Sequence, residues 1–390
     1  MKNIVFVFNP GCFPVPAING GAIESLITTL IDENEKEKKF MFHVIMCKNI
    51  SDTYDYDYSK YQFTKFYNFY QSSLKFKIGR IVNAVNKRLN YALPLYSSFE
   101  NYLVNTIDEI KPDFIVFEGT FNSTVRKLKR KYDKDKLVLH VHHKICPKYK
   151  IDNFIGRMWC VSDYIKKDWQ ESKVLKEDFK YQIFNNVLTS KTFNNELSDE
   201  ERNQLMKQYN LKKDDLVLVY CGRLIKEKGI DILIKAVKDL NIENLKLLVI
   251  GESAFRNSNT TPFVQELRNI VDGDKRFVFT GFIDNKDLYK YYSLANVQVI
   301  PSVFEEAAGI VALEGRAVGL PQLITNAGGL PEYASKDAIV LNNDENLQQN
   351  LKKEILKFYN GTYSCEIMKE KDVHGQTEYY KQFVEIVSGN

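Results

Sequence analysis

The sequence has few cysteines and no long apolar run. Its six cysteines are scattered without a CxxC pair, which argues against a zinc site and indicates reduced thiols in a cytoplasmic protein. The first apolar run, Asn3–Phe8, is too short for a secretion signal or a membrane span. No later run reaches the roughly 18 residues that a transmembrane helix needs. We therefore expect a globular protein of the cytoplasm, with the inner face of the cell membrane as an alternative location.

Acidic residues are absent from Tyr58 to Phe99. This stretch interleaves seven Lys and Arg side chains with aromatic ones, and residues 1–190 are basic overall, with 29 Lys and Arg against 21 Asp and Glu. Such a stretch suits an anionic membrane surface, and we expect peripheral membrane contact through residues 60–88. The alternatives are a helical arm packed on the first domain and a single-stranded nucleic-acid site, of which nucleic acid is not favoured.

Short apolar runs, rich in β-branched and aromatic residues, alternate with amphipathic stretches such as Gly229–Leu240 and Asp284–Leu294. This alternation is typical of parallel sheets covered by helices on both faces. The pattern pauses between about Val187 and Asp215, which predicts a domain boundary near residue 190. We expect an α/β protein of two doubly wound, Rossmann-like domains facing each other across a cleft. The predicted segments are 1–190, 191–365 and a C-terminal helix in 366–390 that returns to the first domain.

The apolar runs give eleven strand candidates. In the first half they are Asn3–Phe8, Phe40–Cys47, Asp113–Glu118, Leu137–Val141 and Met158–Val161. In the second half they are Leu216–Cys221, Leu245–Ile250, Phe277–Thr280, Val297–Ile300, Gln322–Thr325 and Ala338–Leu341.

The segment Pro301–Gly315 follows a strand candidate and leads into a helix. The start of a helix exposes unpaired N–H groups and the positive end of its dipole, which suits a phosphate. Glu306 lies before the helix and Glu314 about two turns inside it, so two carboxylates flank the anion site and can accept from hydroxyls. This arrangement predicts a nucleotide-sugar ligand. The alternative is that Glu314 is solvated and Glu306 only partners the helix dipole.

Cationic and glycine-rich loops support the first of these interpretations. Gly222 and Arg223 follow a strand candidate, and Lys228 precedes a helix, which gives a forked donor and a point charge suited to a diphosphate. Gly20-Gly21 and Gly328-Gly329 also precede helical patterns, where glycine permits close backbone approach to a ligand.

Taken in order, these motifs resemble family 4 of the glycosyltransferases, which are retaining enzymes of the GT-B fold. The specific part is the Glu306-x7-Glu314 pair with flanking Pro301-Ser302 and Gly328-Gly329. The resemblance implies transfer of a hexosyl or N-acetylhexosaminyl group from a nucleotide-sugar, with a UDP-sugar favoured and neither metal nor other cofactor. The acceptor would be lipid-linked or a polysaccharide in bacterial surface or capsule assembly, and would bind the first domain.

The resemblance also implies roles for individual residues. His142 would approach the donor sugar, Arg223 and Lys228 would neutralise the departing diphosphate, and Glu306 would contact the transferred sugar. The expected donor-binding residues are Gly20, Gly21, Gly222, Phe279, Gly281, Phe282, Ala308, Gly309, Ile310, Val311 and Glu314. Among these, Ile310 and Val311 would hold the distal phosphate through their N–H groups, and Glu314 would bind the ribose.

Two segments resemble metal-binding motifs, but we predict no metal at either. Three of the five histidines lie within His140–His143, and histidine is a common zinc ligand. Because His140 and His142 point to one face of the strand and His143 to the other, we predict no metal there. We choose His142 over His140, with a packed histidine as the alternative. Asp55-Tyr56-Asp57 resembles a DxD metal motif, but its polar surroundings indicate a solvated loop.

Two residues depart from the family pattern. Ala308 stands where an aromatic residue is usual, and Gly315 stands where alanine is usual and costs about 1 kcal/mol within a helix. These departures favour the first alternative function, a catalytically silent partner subunit. A GT-B nucleotide-sugar epimerase is the second.

Overall fold

The computed structural model describes residues 1–17, 21–49, 56–89, 97–119, 123–144, 151–253, 261–363 and 375–389. The chain divides into two compact units. The first comprises Met1–Thr189 with Gly375–Asn390, and the second comprises Ser190–His374. Within the ranges described, no helix has the length and apolar character needed to cross a membrane.

A parallel sheet of seven strands runs through the first unit in the order β3-β2-β1-β4-β5-β6-β7. The strand order reverses between β1 and β4, and ligands of doubly wound sheets bind where such a reversal brings carboxyl-terminal loops together. The strands are β1 (Lys2–Val7), β2 (Phe40–Asn49), β3 (Thr64–Gln71), β4 (Phe114–Glu118), β5 (Leu137–Val141), β6 (Arg157–Cys160) and β7 (Lys180–Ile183).

Two helices of the first unit begin at a glycine or at a capping box. Gly21 precedes α1, and Ser97 with Glu100 forms a capping box at the start of α3, satisfying two N–H groups. The unit contains the helices α1 (Ala22–Glu37), α2 (Ser73–Arg88), α3 (Ser98–Ile110), α4 (Val125–Leu128) and α5 (Asp163–Glu171).

The second unit contains a parallel sheet of six strands in the order β10-β9-β8-β11-β12-β13. Its strands are β8 (Leu216–Cys221), β9 (Leu245–Ile250), β10 (Phe277–Gly281), β11 (Val297–Ile300), β12 (Gln322–Thr325) and β13 (Ile339–Leu341). Its helices are α6 (Asp199–Gln208), α7 (Ile230–Leu240), α8 (Pro262–Ile270), α9 (Leu288–Tyr292), α10 (Ile310–Val318), α11 (Leu330–Tyr333) and α12 (Leu347–Tyr359).

The last helix, α13 (Gln376–Ser388), belongs to the first unit and completes its core. Phe383 lies edge-on to Phe40 and Phe42, each at 5.6 Å between ring centroids. Tyr379 stacks on Phe184 at 4.4 Å. These aromatic contacts join the end of the chain to strands near its beginning.

The two edge strands of the first sheet are missing from the predicted strands. β3 lies within the basic aromatic stretch, so the predicted helical arm is helical in α2, and an edge strand precedes it. β3 and β7 each keep partly exposed residues, and edge strands commonly carry charges that mask the apolar pattern. The predicted helix Asp284–Leu294 is also shorter than expected, since α9 covers only Leu288–Tyr292. Asp55 lies outside the described residues, and Asp57 is exposed.

Candidate functional site

The loops that follow β8, β11 and β12 lie side by side in the second unit. These strands are neighbours in the sheet, and the carboxyl ends of parallel strands share one edge. The loops contain, in turn, the segments 222–228, 301–309 and 326–329. The sheet therefore brings together the cationic, acidic and glycine-rich segments that the sequence predicts for a donor site.

Lys228 and Glu306 form an ion pair at this edge, with Lys228 Nζ 2.5 Å from Glu306 Oε1. The Ser302 hydroxyl donates to the same oxygen at 2.7 Å. Both side chains of the pair remain accessible, with 25% and 16% of their surface exposed. The ammonium is therefore available to an anionic ligand and the carboxylate to a hydroxyl.

Two glycines allow the loops to pack this closely. Gly229 has a φ of 66°, and a Cβ there would clash with the carbonyl oxygen of Pro301. Gly328 has a φ of 57°, and a Cβ there would clash with the backbone of Glu306. Gly329 N–H also donates to the Glu306 carbonyl at 2.7 Å. The protein's own backbone thus requires glycine at position 328.

Helix α10 begins four residues after Glu306. Gly309 is its N-cap residue and supplies no side-chain hydrogen bond. Ile310 and Val311 occupy the first two helical positions, where N–H groups have no acceptor within the helix. Ala308 is partly exposed beside this turn. The helix start offers N–H donors and positive dipole charge to an anion.

Glu314 lies further along α10 and contacts Tyr292, whose hydroxyl donates to Glu314 Oε2 at 2.7 Å. Burial raises the pKa of the Glu314 carboxyl to about 7, and the hydrogen bond from Tyr292 only partly opposes this effect. Cys221, the last residue of β8, lies against the same tyrosine, and burial raises its pKa too. A carboxyl group that titrates near neutral pH therefore lies at the end of β8.

The remaining predicted donor residues of this unit lie in the loop after β8 and at the end of β10. Arg223 is exposed, and the next N–H, of Leu224, donates to the Glu252 carbonyl at 2.9 Å. The Phe279 ring lies 5.6 Å from the Arg268 guanidinium and also packs against the core. Gly222, Gly281 and Phe282 are partly exposed.

Gly315 is explained by packing. A Cβ at this position would clash with the Gln298 side-chain amide. Gln298 donates to the Val311 carbonyl at 2.8 Å, and Gln322 donates to the Ala312 carbonyl at 2.8 Å and to Gln298 Oε1 at 2.6 Å. Two buried glutamines therefore hold the first turn of α10, and glycine makes room for them.

In the first unit, Gly21 begins α1 with a φ of 98°, and Gly20 lies outside the described residues. A Cβ on Gly21 would clash with the carboxylate of Glu24, which accepts the Phe13 N–H at 2.8 Å. Burial raises the pKa of Glu24. Unlike α10, this helix start already has an acidic side chain of its own beside it.

His142 and His140 both contact one carboxylate, that of Glu118. Glu118 Oε2 lies 2.7 Å from His142 Nε2 and 3.0 Å from His140 Nδ1. The carboxylate beside these histidines is therefore close in space, although it lies 22 and 24 residues away from them in sequence. Glu118 ends β4 directly opposite His140 in β5, a register that no local pattern reveals.

The second unit therefore brings a cation, two carboxylates and an open helix start to one edge of its sheet. Residues 201–372 match the family model described as Glycosyl transferases group 1. An uncharacterized glycosyltransferase of Methanocaldococcus jannaschii, MJ1607, is 34% identical over 171 residues, 41% of this chain and 42% of the relative. Lipopolysaccharide 1,2-N-acetylglucosaminetransferase of Salmonella typhimurium is 25% identical over 244 residues, 60% and 61% of the two chains. The chain therefore spans less than two thirds of these relatives.

Solved structures match along the whole chain. The crystal structure of Anabaena Alr3699/HepE in complex with UDP has a TM-score of 0.70 at 16% identity, with both chains fully covered. WaaG, a glycosyltransferase involved in lipopolysaccharide biosynthesis, has a TM-score of 0.60 at 15% identity, with 99% and 100% covered. The chain has the GT-B fold, as predicted.

Replacing Gly315 by alanine should destabilise the protein. The clash with Gln298 should cost about 1–3 kcal/mol, of which the better helix propensity of alanine recovers about 1 kcal/mol. Urea unfolding measures the change. Gly79→Ala, within α2, is the matched control. The added Cβ would contact only Ser97 Cβ, at 3.7 Å. An equal effect of both substitutions would contradict the packing role of Gly315.

The raised pKa of Glu314 should make stability pH-dependent. The folded state binds a proton more tightly than the unfolded state, so the contribution is complete below about pH 4.5 and is lost as pH rises through about 7. Between pH 5 and pH 8 the unfolding free energy should fall by about 2 kcal/mol relative to Glu314→Gln, after allowing for solvent screening. Urea titrations of both proteins at each pH measure this difference. Parallel pH profiles would show that Glu314 is already ionised at low pH.

Proposed function

We propose that the protein is a retaining glycosyltransferase that transfers a sugar from a nucleotide-sugar, with UDP-sugars favoured, to a lipid-linked or polysaccharide acceptor. One observation carries the proposal: Glu306 of the accessible Lys228–Glu306 ion pair lies four residues before the start of α10, which has no side-chain cap. A cation, a row of N–H donors and a hydroxyl acceptor are the groups that a sugar diphosphate requires.

The proposed donor would be held by its phosphates at α10. The N–H groups of Ile310 and Val311 would bind the distal phosphate, with Gly309 leaving that turn open. Arg223 and Lys228 would stabilise the negative charge that develops on the departing diphosphate, which is usually the largest contribution to catalysis. These fixed positive groups would serve in place of a divalent metal, so we propose metal-independent transfer.

The carboxylates of Glu306 and Glu314 would each accept hydrogen bonds from different hydroxyl groups of the donor. Glu306 would release Lys228 to the diphosphate and accept from a hydroxyl of the transferred sugar. Glu314 would accept from the ribose, and the loop with Gly281 and Phe282 would lie against the base. Ala308 leaves space beside the sugar, which suits a hexosyl or N-acetylhexosaminyl group. The relatives named above include a transferase of N-acetylglucosamine and a chain crystallised with UDP.

A catalytically silent partner is the second candidate. Of the two departures that favoured it, Gly315 is accounted for by the glutamines that pack against α10. The other departure, Ala308, replaces an aromatic residue and leaves all the charged residues of the proposed site in place. Thermal-shift screening against UDP-, GDP- and ADP-sugars separates the candidates, because a ligand that binds the folded state must stabilise it. A nucleotide-sugar epimerase would convert the donor without any acceptor.

Glu306→Gln should lower kcat by about 100-fold or more with a smaller change in KM for the donor, because its carboxylate is proposed to act on the reacting sugar. Glu314→Asp should mainly raise KM for the donor, since the shorter side chain weakens the proposed contact with the ribose. Release of UDP from the best donor measures both. Glu305→Gln changes the neighbouring carboxylate and serves as the control. Small and equal effects at Glu306 and Glu314 would contradict the roles proposed for them.

The first unit carries the surface proposed for the acceptor membrane. Leu74, Ile78, Ile81 and Val85 repeat at helical spacing on α2, with exposed fractions between 38% and 68%. Lys75 and Lys77 are exposed beside this apolar stripe. An exposed apolar stripe flanked by lysines fits an anionic bilayer, where apolar side chains enter the interface and cations meet headgroups. We propose that α2 places the protein at a membrane that holds a lipid-linked acceptor.

Vesicle flotation tests this surface. The protein should float with vesicles containing phosphatidylglycerol, and much less with phosphatidylcholine alone or at high salt. Ile78→Asp combined with Ile81→Asp should reduce the bound fraction several-fold. Val340→Asp, at an exposed apolar residue of the second unit, is the control. Unchanged flotation of the double variant, or no flotation of the wild type, would overturn the proposal.

A further inference from the structure

Glu118, His140 and His142 form a buried polar cluster at the carboxyl end of β4 and β5. The Glu118 and His140 side chains are fully buried, and that of His142 is 4% exposed. His140 is fixed by aromatic neighbours, since it stacks on Phe184 at 5.1 Å and meets Trp159 edge-on at 5.8 Å. The cluster is therefore rigid on the side of the core.

One carboxylate oxygen holds both rings. Glu118 Oε2 lies 2.7 Å from His142 Nε2 and 3.0 Å from His140 Nδ1. Burial alone raises the pKa of Glu118, but attraction and hydrogen bonds from the two histidines outweigh it and lower the pKa to about 2. An ionised carboxylate can only accept, so each histidine must donate the hydrogen of the nitrogen that faces it.

His142 is left with one nitrogen to offer. Burial lowers its pKa to about 4, so the ring is neutral at pH 7 and carries a single hydrogen. That hydrogen lies on Nε2, the nitrogen that faces Glu118. Among the residues described, Nδ1 of His142 has no hydrogen-bond partner. This nitrogen therefore offers a lone pair at the end of β5, in the unit to which the proposed function assigns the acceptor.

The same three side chains could hold a metal ion, because one ligand atom from each lies within 4.8 Å of the others. The distances favour hydrogen bonds. In a tetrahedral zinc site with bonds of about 2.0 Å, ligand atoms are separated by about 3.3 Å. The two contacts to Glu118 Oε2 are shorter than that separation and have the length of charge-assisted hydrogen bonds.

We propose that Glu118 is a positioning residue, which holds His142 as a neutral imidazole with its hydrogen on Nε2 so that Nδ1 accepts a hydrogen bond from a hydroxyl of a sugar bound at this unit. His140 is the second donor to the carboxylate and keeps it from rotating. This inference rests on the proposed function for the identity of the ligand. The tautomer of His142 follows from the cluster alone.

The surroundings of the cluster are mainly acidic or neutral. Glu24 and Cys12 interact electrostatically with Glu118, and His143 interacts electrostatically with His142. None of these groups supplies a fixed cation that could replace the histidines as partners of Glu118. Removing the charge of Glu118 should therefore lower the pKa of His142 further and release its tautomer, because a glutamine can donate as well as accept.

Nitrogen NMR of protein labelled in its five histidines tests the tautomer directly, with His142→Gln to assign the signal. The expected wild-type result at pH 7 is a neutral His142 with its hydrogen on Nε2. In Glu118→Gln the hydrogen should move at least partly to Nδ1. Protonation on Nδ1 in the wild type, or a charged ring, would overturn the proposal. So would zinc titration that shifts both His140 and His142 as ligands.

Kinetics test the consequence. Glu118→Gln should lower kcat by about 10-fold or more, with KM for the donor changed less than about threefold, as for other residues that orient a ligand-contacting histidine. Glu24→Gln, a nearby buried carboxyl that does not contact His142, is the control and should leave turnover within about threefold. Equal losses in both variants would reject a specific role for Glu118. If no donor supports transfer, the proposed function fails while the NMR result still decides the tautomer.

Discussion

The proposed donor site depends on the close contact between the loops after β8, β11 and β12. Gly229 lies against the Pro301 carbonyl and Gly328 against the Glu306 backbone, at distances that no other residue permits. This contact brings Lys228 to Glu306 across 78 residues of sequence. Because the carboxyl ends of neighbouring parallel strands share an edge, one sheet order is enough to assemble a cation, a carboxylate and a helix start.

Behind that edge, buried polar groups fix the helix that would meet the phosphate. Gln322 donates a hydrogen bond to Gln298, and the two side chains also donate to two carbonyl groups in the first turn of α10. A partly satisfied buried network would cost more than an apolar one, so the glutamines constrain the helix position tightly. Gly315 accommodates them. A residue that departs from the family pattern is thereby part of the scaffold, and the unusual glycine is no sign of lost chemistry.

The first unit uses the same edge geometry for a different cluster. Glu118 and His140 face each other across β4 and β5, and His142 follows two residues later. Alternation along a strand places His140 and His142 on one face, where one carboxylate serves both. The exposed stripe of α2 is the other distinctive feature of this unit, and it combines apolar and cationic residues as membrane-surface helices do.

The sequence by itself determined the alternating strands and helices of two doubly wound domains and the order of the motifs, because apolar periodicity and glycine positions are local properties. The GT-B fold was implied by the resemblance that those motifs carry. The sequence pattern missed β3 and β7, whose edge positions weaken that periodicity. Only the tertiary structure paired Lys228 with Glu306, gave Gly315 its reason and placed Glu118 against two histidines. Those relations depend on sheet order and register, which join residues far apart in the chain and leave no trace in local spacing.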